Sequence, residues 1–300
     1  MPGRWSWKAL LTDPPPVCAF ELSERGMASA LLSRPPSISF APWQEEVISV
    51  SPVRDNILRP DVLLARAREG GPAPEGRKRR RAALILPDYS VRVTVLDFDD
   101  FPSDAREQAS LVRFRLKRSV PFDVESAALS YYAQARSAGR RQVDVVAAVA
   151  PLEIVARYEA PFRQAGFHVG WVTTSALACL ELAPPTGVQV LAKRTGRVLS
   201  LAVTDNGALR LIRAIELAEG GGEEILDHLA QTMAYVEDQL SAGAERLLLC
   251  GLGEDAGSAR ARLEAELGIH TAPLASRLGT PDEHTAGLLG YAESVCLREA

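Results

Sequence analysis

Side chains that could act as nucleophiles or metal ligands are scattered along this sequence and do not fall at catalytic spacings. The four cysteines and four histidines include no C-x-x-C pair and no metal-site spacing. They are Cys18, Cys179, Cys250, Cys296, His168, His228, His270 and His284. No G-x-S-x-G, Walker A or H-E-x-x-H sequence occurs. Asp97, Asp99 and Asp100 form an acidic group, but a polar loop after a strand accounts for them. The sequence therefore predicts buried, reduced thiols and neither a metal site nor a nucleophilic hydrolase.

Composition narrows the class of protein further. Three hundred residues suffice for one large or two medium domains, and 47% apolar with 24% charged residues is ordinary for a globular chain. A net charge of −4 argues against general nucleic-acid binding. No run of about 18 apolar residues is present, and the start does not resemble a signal peptide. We therefore expect a cytoplasmic protein.

Two local features carry alternatives that the sequence leaves open. The basic run Arg77–Arg81 follows a Pro/Gly-rich loop, and in an acidic protein such a run is more often a solvated loop than a nucleic-acid or anionic-lipid site. Trp5 and Trp7 lie in a short basic segment, which could touch a membrane surface or pack on the protein itself. Neither feature decides the function.

The stretch 82–132 has the clearest pattern of elements in the chain. Alternating residues over 91–98 predict a strand. Asp104, with Glu107 three residues later, resembles a capping box and predicts the start of a helix. Apolar residues then recur at three- and four-residue steps until Pro121 ends the pattern. They are Ala105, Ala109, Val112, Leu116 and Val120.

Similar signals predict the other elements. Strands are expected at 17–22, 27–32, 43–51, 126–135, 142–150, 168–173 and 246–250, with three more between 188 and 217. Helices are expected at 58–68, 151–164, 175–182, 220–240, 258–267 and 285–297. Gly26 suits a turn with a positive φ, and Gly166 and Gly268 suit helix ends. Asp205-Asn206-Gly207 predicts a tight hairpin.

Two larger patterns concern the whole chain. The strand-rich segments that begin at Val17 and Val188 resemble each other, which indicates an internal duplication. Between Val91 and Val172 the predicted order is strand, helix, strand, strand, helix, strand, which is typical of a compact α+β module.

The order of elements and motifs in 82–132 resembles that of the PilM family of type IV pilus assembly proteins. An L-P-D motif precedes the first strand, the helix carries L-V-R-F-R-L-K-R-S-V-P-F-D-V-E, and the last strand carries Y-Y. The likeness extends over Val17–Glu293 and is most specific in Leu111–Glu125. It implies an α/β, actin-like (RNase H-like) fold of two lobes, related to FtsA, with a small inserted α+β domain. The implied ranges are 17–81 and 170–182 for lobe I, with the final helix 283–299 as a candidate addition, 82–169 for the inserted domain and 188–277 for lobe II.

The resemblance also implies where a nucleotide would bind. In actin-like ATPases two hairpin turns hold the phosphates, each with approximately Asp-Ile-Gly, and a Gly-Gly segment lies near the adenosine. The corresponding residues here are Glu21, Ser23 and Glu24, then Lys193, Arg194, Thr195 and Gly196, then Gly251 and Gly253. The first turn is doubly acidic and the second has no metal ligand, although Mg²⁺ requires oxygen ligands. We therefore expect a pseudo-ATPase that binds nucleotide weakly or not at all, with no metal and no cofactor. The alternative is retained ATP binding.

For a partner, the resemblance implies the cytoplasmic N-terminal tail of a PilN-like bitopic membrane protein, held extended between the main lobe and the inserted domain. Our candidates for that groove lie on the basic helix and just after it. They are Arg113, Phe114, Arg115, Lys117, Pro121 and Phe122. The competing interpretation is a solvated helix face, with Phe122 packed under the helix.

The function that we expect from the sequence is a cytoplasmic scaffold of the type IV pilus inner-membrane platform, held at the membrane through its partners. One alternative is an ATP-binding switch or ATPase of the pilus or type II secretion machinery. Another is an FtsA-like filament-forming division protein, which Ser294–Ala300 disfavours because it does not resemble an amphipathic anchor.

Overall fold

The computed structural model describes residues 15–33, 35–71, 80–134, 142–240, 242–252 and 256–296. The strands are β1 (Cys18–Leu22), β2 (Gly26–Leu31), β3 (Ser37–Pro42), β4 (Arg80–Leu86), β5 (Arg92–Phe98), β6 (Ala127–Ala133), β7 (Val143–Pro151), β8 (Phe167–Thr174), β9 (Val188–Thr195), β10 (Val198–Asp205), β11 (Ala208–Glu216), β12 (Arg246–Cys250) and β13 (Thr271–Pro273). The helices are α1 (Pro60–Glu69), α2 (Ala105–Leu116), α3 (Leu152–Gln164), α4 (Ser175–Cys179), α5 (Gly222–Gln239), α6 (Ala256–Leu267) and α7 (Ala286–Cys296).

Lobe I is a five-stranded sheet in the order β3-β2-β1-β4-β8. Alternation along β1 separates its two faces, because successive side chains point to opposite sides of a strand. Phe20 packs on one face with Phe162 of α3 and Phe167, at ring distances of 4.9 and 5.2 Å. On the other face small residues such as Ala19 leave room for α7, which packs against β1, β2 and α4. The final helix therefore lies on lobe I.

Lobe II repeats this arrangement. Its sheet has the order β11-β10-β9-β12-β13, so each lobe has an antiparallel three-stranded meander followed by two parallel strands. Asn206 and Gly207 connect β10 to β11 with φ values of 49° and 78°, as a tight hairpin requires. The prediction of an internal duplication is confirmed, and the two lobes are two copies of one α/β layer pattern.

The inserted domain is smaller than the predicted range 82–169. Its three-stranded sheet has the order β5-β7-β6, and α2 covers one face of it. β4 and β8 belong to the sheet of lobe I, where each pairs in parallel, and α3 places Tyr158 in the core of that lobe. The insert therefore covers 92–151. The wider range was wrong because local strand signals do not reveal which sheet a strand joins.

Other local predictions have mixed outcomes. The predicted strand at 43–51 is wrong: β3 lies earlier, and 43–51 contains only the bridge from Ile48 to Ile57. Gly26 does not have a positive φ, and glycine is needed there because a Cβ would lie 2.4 Å from the Phe40 ring. Gly166 and Gly268 do have positive φ values at their helix ends. Asp104 caps α2 by accepting two backbone N–H groups.

Some predictions concern thiols and surface segments. Cys18, Cys179 and Cys250 are buried free thiols, as predicted, and burial raises the pKa of Cys18 and of Cys250 to about 12, which makes both poor nucleophiles. Trp5, Trp7, 77–79 and Gly253 lie outside the described residues. Within the described residues, no helix is both long and apolar enough to cross a bilayer.

Candidate functional site: a closed cleft and an open groove

The first hairpin turn of each lobe faces the cleft between the lobes. Residues 23–25 form the turn between β1 and β2, and residues 196–197 form the turn between β9 and β10. Both turns border a cavity of about 370 Å³. Five carboxylate side chains and three cationic side chains line it. They are Glu21, Glu24, Glu46, Asp88 and Glu283, and Arg25, Lys193 and Arg197. The excess of carboxylates disfavours a polyphosphate that arrives without a metal ion.

Glu21 is fully engaged by neighbouring parts of the chain. It is 2% exposed, and its carboxylate accepts hydrogen bonds from the hydroxyl of Ser175 and, at 2.7 Å, from the backbone N–H of Leu288. Burial raises the pKa of Glu21 to about 7, and the nearby Lys193 opposes that rise. The carboxylate therefore joins β1 to α4 and α7 and does not face an open metal position.

Lys193 is the buried cation of the cleft. Its side chain is 1% exposed, and its Nζ donates to the Thr195 hydroxyl at 2.5 Å and lies 3.7 Å from Asp88 Oδ2. Burial acts to lower the pKa of Lys193, but Asp88 and Glu21 outweigh it and the pKa is raised. Asp88 is held by the Ala176 N–H at 2.6 Å and the Ser200 hydroxyl at 2.7 Å. The positive charge of Lys193 is therefore already balanced by Asp88 within the protein.

Asp88 is a residue whose role sequence reasoning missed. In the sequence Asp88 belongs only to the L-P-D motif, and its hydrogen-bond partners lie 88 or more positions away along the chain. The predicted role of Glu24 also changes. Its Oε1 accepts the backbone N–H of Val50 at 2.8 Å, so this carboxylate fastens a loop of lobe I.

The loop before α7 occupies the second hairpin turn. The Gly196 N–H donates to Glu283 Oε2, and the Thr195 hydroxyl donates to the Glu283 carbonyl, both at 3.1 Å. The hydrogen bonds that the Glu283 carboxylate accepts from His284 and from Gly196 lower its pKa to about 2, against the opposing effect of burial. No sequence signal identified this loop, because T-P-D-E-H-T has the composition of an ordinary turn.

The segment around Gly251, which was predicted to lie near the adenosine, packs against the second hairpin turn. Gly251 has a φ of +74°, and a Cβ there would lie 2.0 Å from the Arg194 carbonyl oxygen. The Arg194 side chain turns back, its Nε donating to the Gly196 carbonyl at 2.9 Å. Beyond Gly251 a cavity of about 520 Å³ opens between Leu252 and Pro273. The residues that were predicted to contact a nucleotide, and that the structure describes, therefore lie in one cleft. Their polar groups form hydrogen bonds with other parts of the chain. Across the described residues, no group of His, Cys, Asp and Glu is placed to hold a metal ion.

The basic helix α2 does not border the groove that we expected it to form. Arg113 donates to the carbonyls of Val124 and Ala127, which ties α2 to the start of β6. Arg115 pairs with Asp97 at 3.2 Å. Phe114 is 73% exposed, and Lys117 is also exposed. These side chains belong to the helix that covers the outer face of the insert sheet.

Pro121 and Phe122 lie at one end of the insert. They line a cavity of about 850 Å³ between the insert and lobe I, together with the exposed side chains of Val53 and Leu152. Phe122 also packs against the core under α2, as the competing interpretation expected.

A second groove lies between the opposite face of the insert sheet and lobe I. Its volume is about 520 Å³, and mostly apolar side chains line it. Tyr132 of β6 is 68% exposed and Trp171 of β8 is 49% exposed, one on each wall. β6 and β8 are edge strands of their sheets among the described residues. An unpaired strand edge beside an apolar groove is suited to an extended peptide. The sequence did not indicate Trp171, because edge position depends on the assembled sheet.

The insert is held firmly against lobe II. Gln134, just after β6, bonds both backbone groups of Leu209, at 2.7 and 2.8 Å. The buried Arg210 of β11 pairs with Asp144 of β7 and with Asp205. These bonds hold the insert wall of the groove in a defined position.

Comparisons with known proteins identify the fold. No protein-family model matches the sequence, and no curated protein matches it significantly. Among solved structures, a "PilM-PilN type IV pilus biogenesis complex" superposes with a TM-score of 0.73 and 16% identity, covering 95% of this chain and 99% of that one. A Bacteroides thetaiotaomicron protein with an actin-like ATPase fold and unknown function has a TM-score of 0.56 and 12% identity over 91% and 94% of the two chains. The cytoplasmic domain of EpsL, an inner membrane component of the Vibrio cholerae type II secretion system, has a TM-score of 0.51 and 12% identity over 94% of each chain. The chain therefore has the actin-like fold.

Proposed function

We propose that this actin-like protein is a catalytically silent, PilM-like scaffold of the type IV pilus inner-membrane platform. Its partner in this proposal is the cytoplasmic N-terminal tail of a PilN-like membrane protein, which holds the scaffold at the cytoplasmic face of the membrane. The observation that carries the proposal is the apolar groove between the edges of β6 and β8. The similarity to a PilM–PilN complex over nearly the whole of both chains supports the choice of partner.

The groove favours a peptide in extended conformation. Backbone groups of such a peptide can pair with an exposed strand edge, while its alternate side chains enter the apolar space. Trp171 and Tyr132 offer large aromatic surfaces on the two walls. Aromatic anchors of this kind usually contribute most of the binding energy at an interface. We therefore propose that these two residues contribute most of the binding energy of the tail, and that α2 has no direct role in tail binding.

Replacing Trp171 with Ala should weaken tail binding at least tenfold, since losing a packed aromatic side chain costs about 1.5–3 kcal/mol. Tyr132→Ala should act in the same direction. The measurement is fluorescence titration of each variant with a synthetic peptide from the cytoplasmic tail. Phe114→Ala is the matched control, because it removes an exposed aromatic ring from the opposite side of the insert. Equal losses for Trp171→Ala and Phe114→Ala would contradict the assignment of the groove.

The closed cleft supports the absence of catalysis. Glu21 is bonded to Ser175 and Leu288, and Lys193 is paired with Asp88, so neither is free to organise a metal-bound triphosphate. We expect calorimetry with ATP·Mg²⁺ to give no binding heat and a phosphate-release assay to give no turnover above background. The second candidate, an ATP-binding switch, draws on the cavity of about 520 Å³ beside Gly251. Measurable ATP·Mg²⁺ binding without tail binding would favour that candidate.

A further inference from the structure

The chain enters the described part of the fold beside one wall of the apolar groove. Pro15 is exposed and Pro16 is buried. The Tyr291 hydroxyl of α7 donates to the Pro16 carbonyl at 2.7 Å, and the Tyr291 ring lies 6.3 Å from the Trp171 ring. Trp171 in turn lines the groove between the insert and lobe I. A single aromatic side chain therefore connects the first described residues to the groove wall.

The residues that precede Pro15 have side chains that suit this groove. Residues 1–14 lie outside the described residues, and their sequence includes W-S-W-K-A-L-L. Trp5 and Trp7 alternate there with Ser6 and Lys8. In an extended peptide, successive side chains point to opposite sides, so both tryptophans would face the same side. Each aromatic side chain of this kind buries about 150–250 Å².

The composition of the groove also favours this segment over other parts of the chain outside the described residues. None of the described residues that line the groove is charged. Segment 72–79 reads P-A-P-E-G-R-K-R, and segment 135–141 reads A-R-S-A-G-R-R. Neither has an aromatic residue, and both are rich in cations, which an apolar groove would leave without water or a partner.

The tether is long enough for the segment to reach the groove. An extended chain spans at most about 3.3–3.6 Å per residue, so Trp7 can lie up to about 28 Å from Pro15. A segment on so short a tether has an effective concentration in the millimolar range. Even a weak intrinsic affinity for the groove is then sufficient for occupancy.

We propose that residues 4–11 of this chain occupy the apolar groove when no partner is bound, with Trp5 and Trp7 against the aromatic walls at Tyr132 and Trp171. The occupant is thus the chain's own N-terminal segment, tethered at the wall of its binding site. The proposed function places a partner's tail in the same groove, and on that assumption the segment competes with the tail and lowers its apparent affinity.

The direct test is the indole N–H resonance of Trp171 in the full chain, labelled with ¹⁵N-tryptophan. Changing Trp5→Ala and Trp7→Ala together should shift this resonance, because two neighbouring aromatic rings are lost. Trp43 is an internal reference: its indole donates to the Ser23 carbonyl at 2.9 Å, so its resonance should not move. The double variant changes no side chain of the described fold.

The matched control is Ser6→Ala with Lys8→Ala, which changes the side chains that alternate with the tryptophans. This control should leave the Trp171 resonance at its wild-type position. An unchanged Trp171 resonance in the Trp5/Trp7 variant would overturn the inference, and so would equal shifts in both variants. A wild-type resonance that moves on dilution would also overturn it, because the groove would then hold the segment of a second copy.

A second measurement tests the competition. By fluorescence anisotropy, a labelled tail peptide should bind the Trp5/Trp7 variant about tenfold more tightly than the wild type, which corresponds to a groove about nine-tenths occupied in the wild type. Tail binding of equal strength to both proteins would refute the competition. A shifted Trp171 resonance with no tail binding by either protein would support the N-terminal segment as occupant and refute the proposed function, so the two failures are distinguishable.

Discussion

Replacing Lys193 with Met should lower the free energy of unfolding by about 3–5 kcal/mol, the range seen when one member of a buried ion pair is removed. Lys193 is 1% exposed and lies 3.7 Å from Asp88. Methionine fills much of the same space but leaves the Asp88 carboxylate buried without its cation. The measurement is urea-induced unfolding, followed by tryptophan fluorescence and circular dichroism.

Two further variants make this result specific. Lys117→Met removes an exposed lysine from α2 and should change stability by no more than about 0.5 kcal/mol. Adding Asp88→Asn to Lys193→Met should recover part of the loss, because asparagine removes the unpaired charge. Its Oδ1 can still accept from the Ala176 N–H, and its amide group can donate to the Ser200 hydroxyl oxygen. A loss below about 1 kcal/mol for Lys193→Met would mean that Lys193 reaches solvent.

The features that the sequence predicted well depend on neighbouring residues. Asp104 caps a helix three positions before Glu107, and Asn206-Gly207 forms the hairpin turn that its residue types favour. Gly166 ends α3 with a positive φ, which is also a preference of its residue type. The duplicated lobes were also predictable, since two similar strand patterns fold into similar sheets.

The features that the sequence did not predict depend on contacts between distant residues. Glu283 meets Gly196 across 87 positions, and Glu21 meets Leu288 across 267. The residue types at both turns predict altered phosphate chemistry, which stays a prediction, but they do not indicate that polar groups of the cleft bond to distant parts of the chain. Trp171 became a candidate only when β8 proved to be an edge strand of lobe I.

The pH dependence of stability should identify Glu21 as a buried carboxyl group that is partly protonated near neutrality. Burial raises its pKa from 4.5 to about 7, so between these values the folded protein holds a proton that the unfolded chain has released. Stability must then fall as pH rises through this window, by about 3 kcal/mol in total at 1.36 kcal/mol per pH unit. Above about pH 7 this contribution should be constant.

Subtracting the stability of Glu21→Gln from that of the wild type at each pH isolates this residue. Glutamine keeps a carbonyl acceptor for Leu288, and its amide group can donate to the Ser175 hydroxyl, so the local bonds survive. Glu283 does not contribute to the change of stability in this pH window. Its pKa is lowered to about 2, so it affects stability only as pH falls below about 4.5. The difference should therefore decline from pH 4.5 to 7. A flat difference for Glu21 would mean that its carboxylate is ionised at an ordinary pKa, and the cleft would then hold an ion pair between Glu21 and Lys193 that is exposed to water.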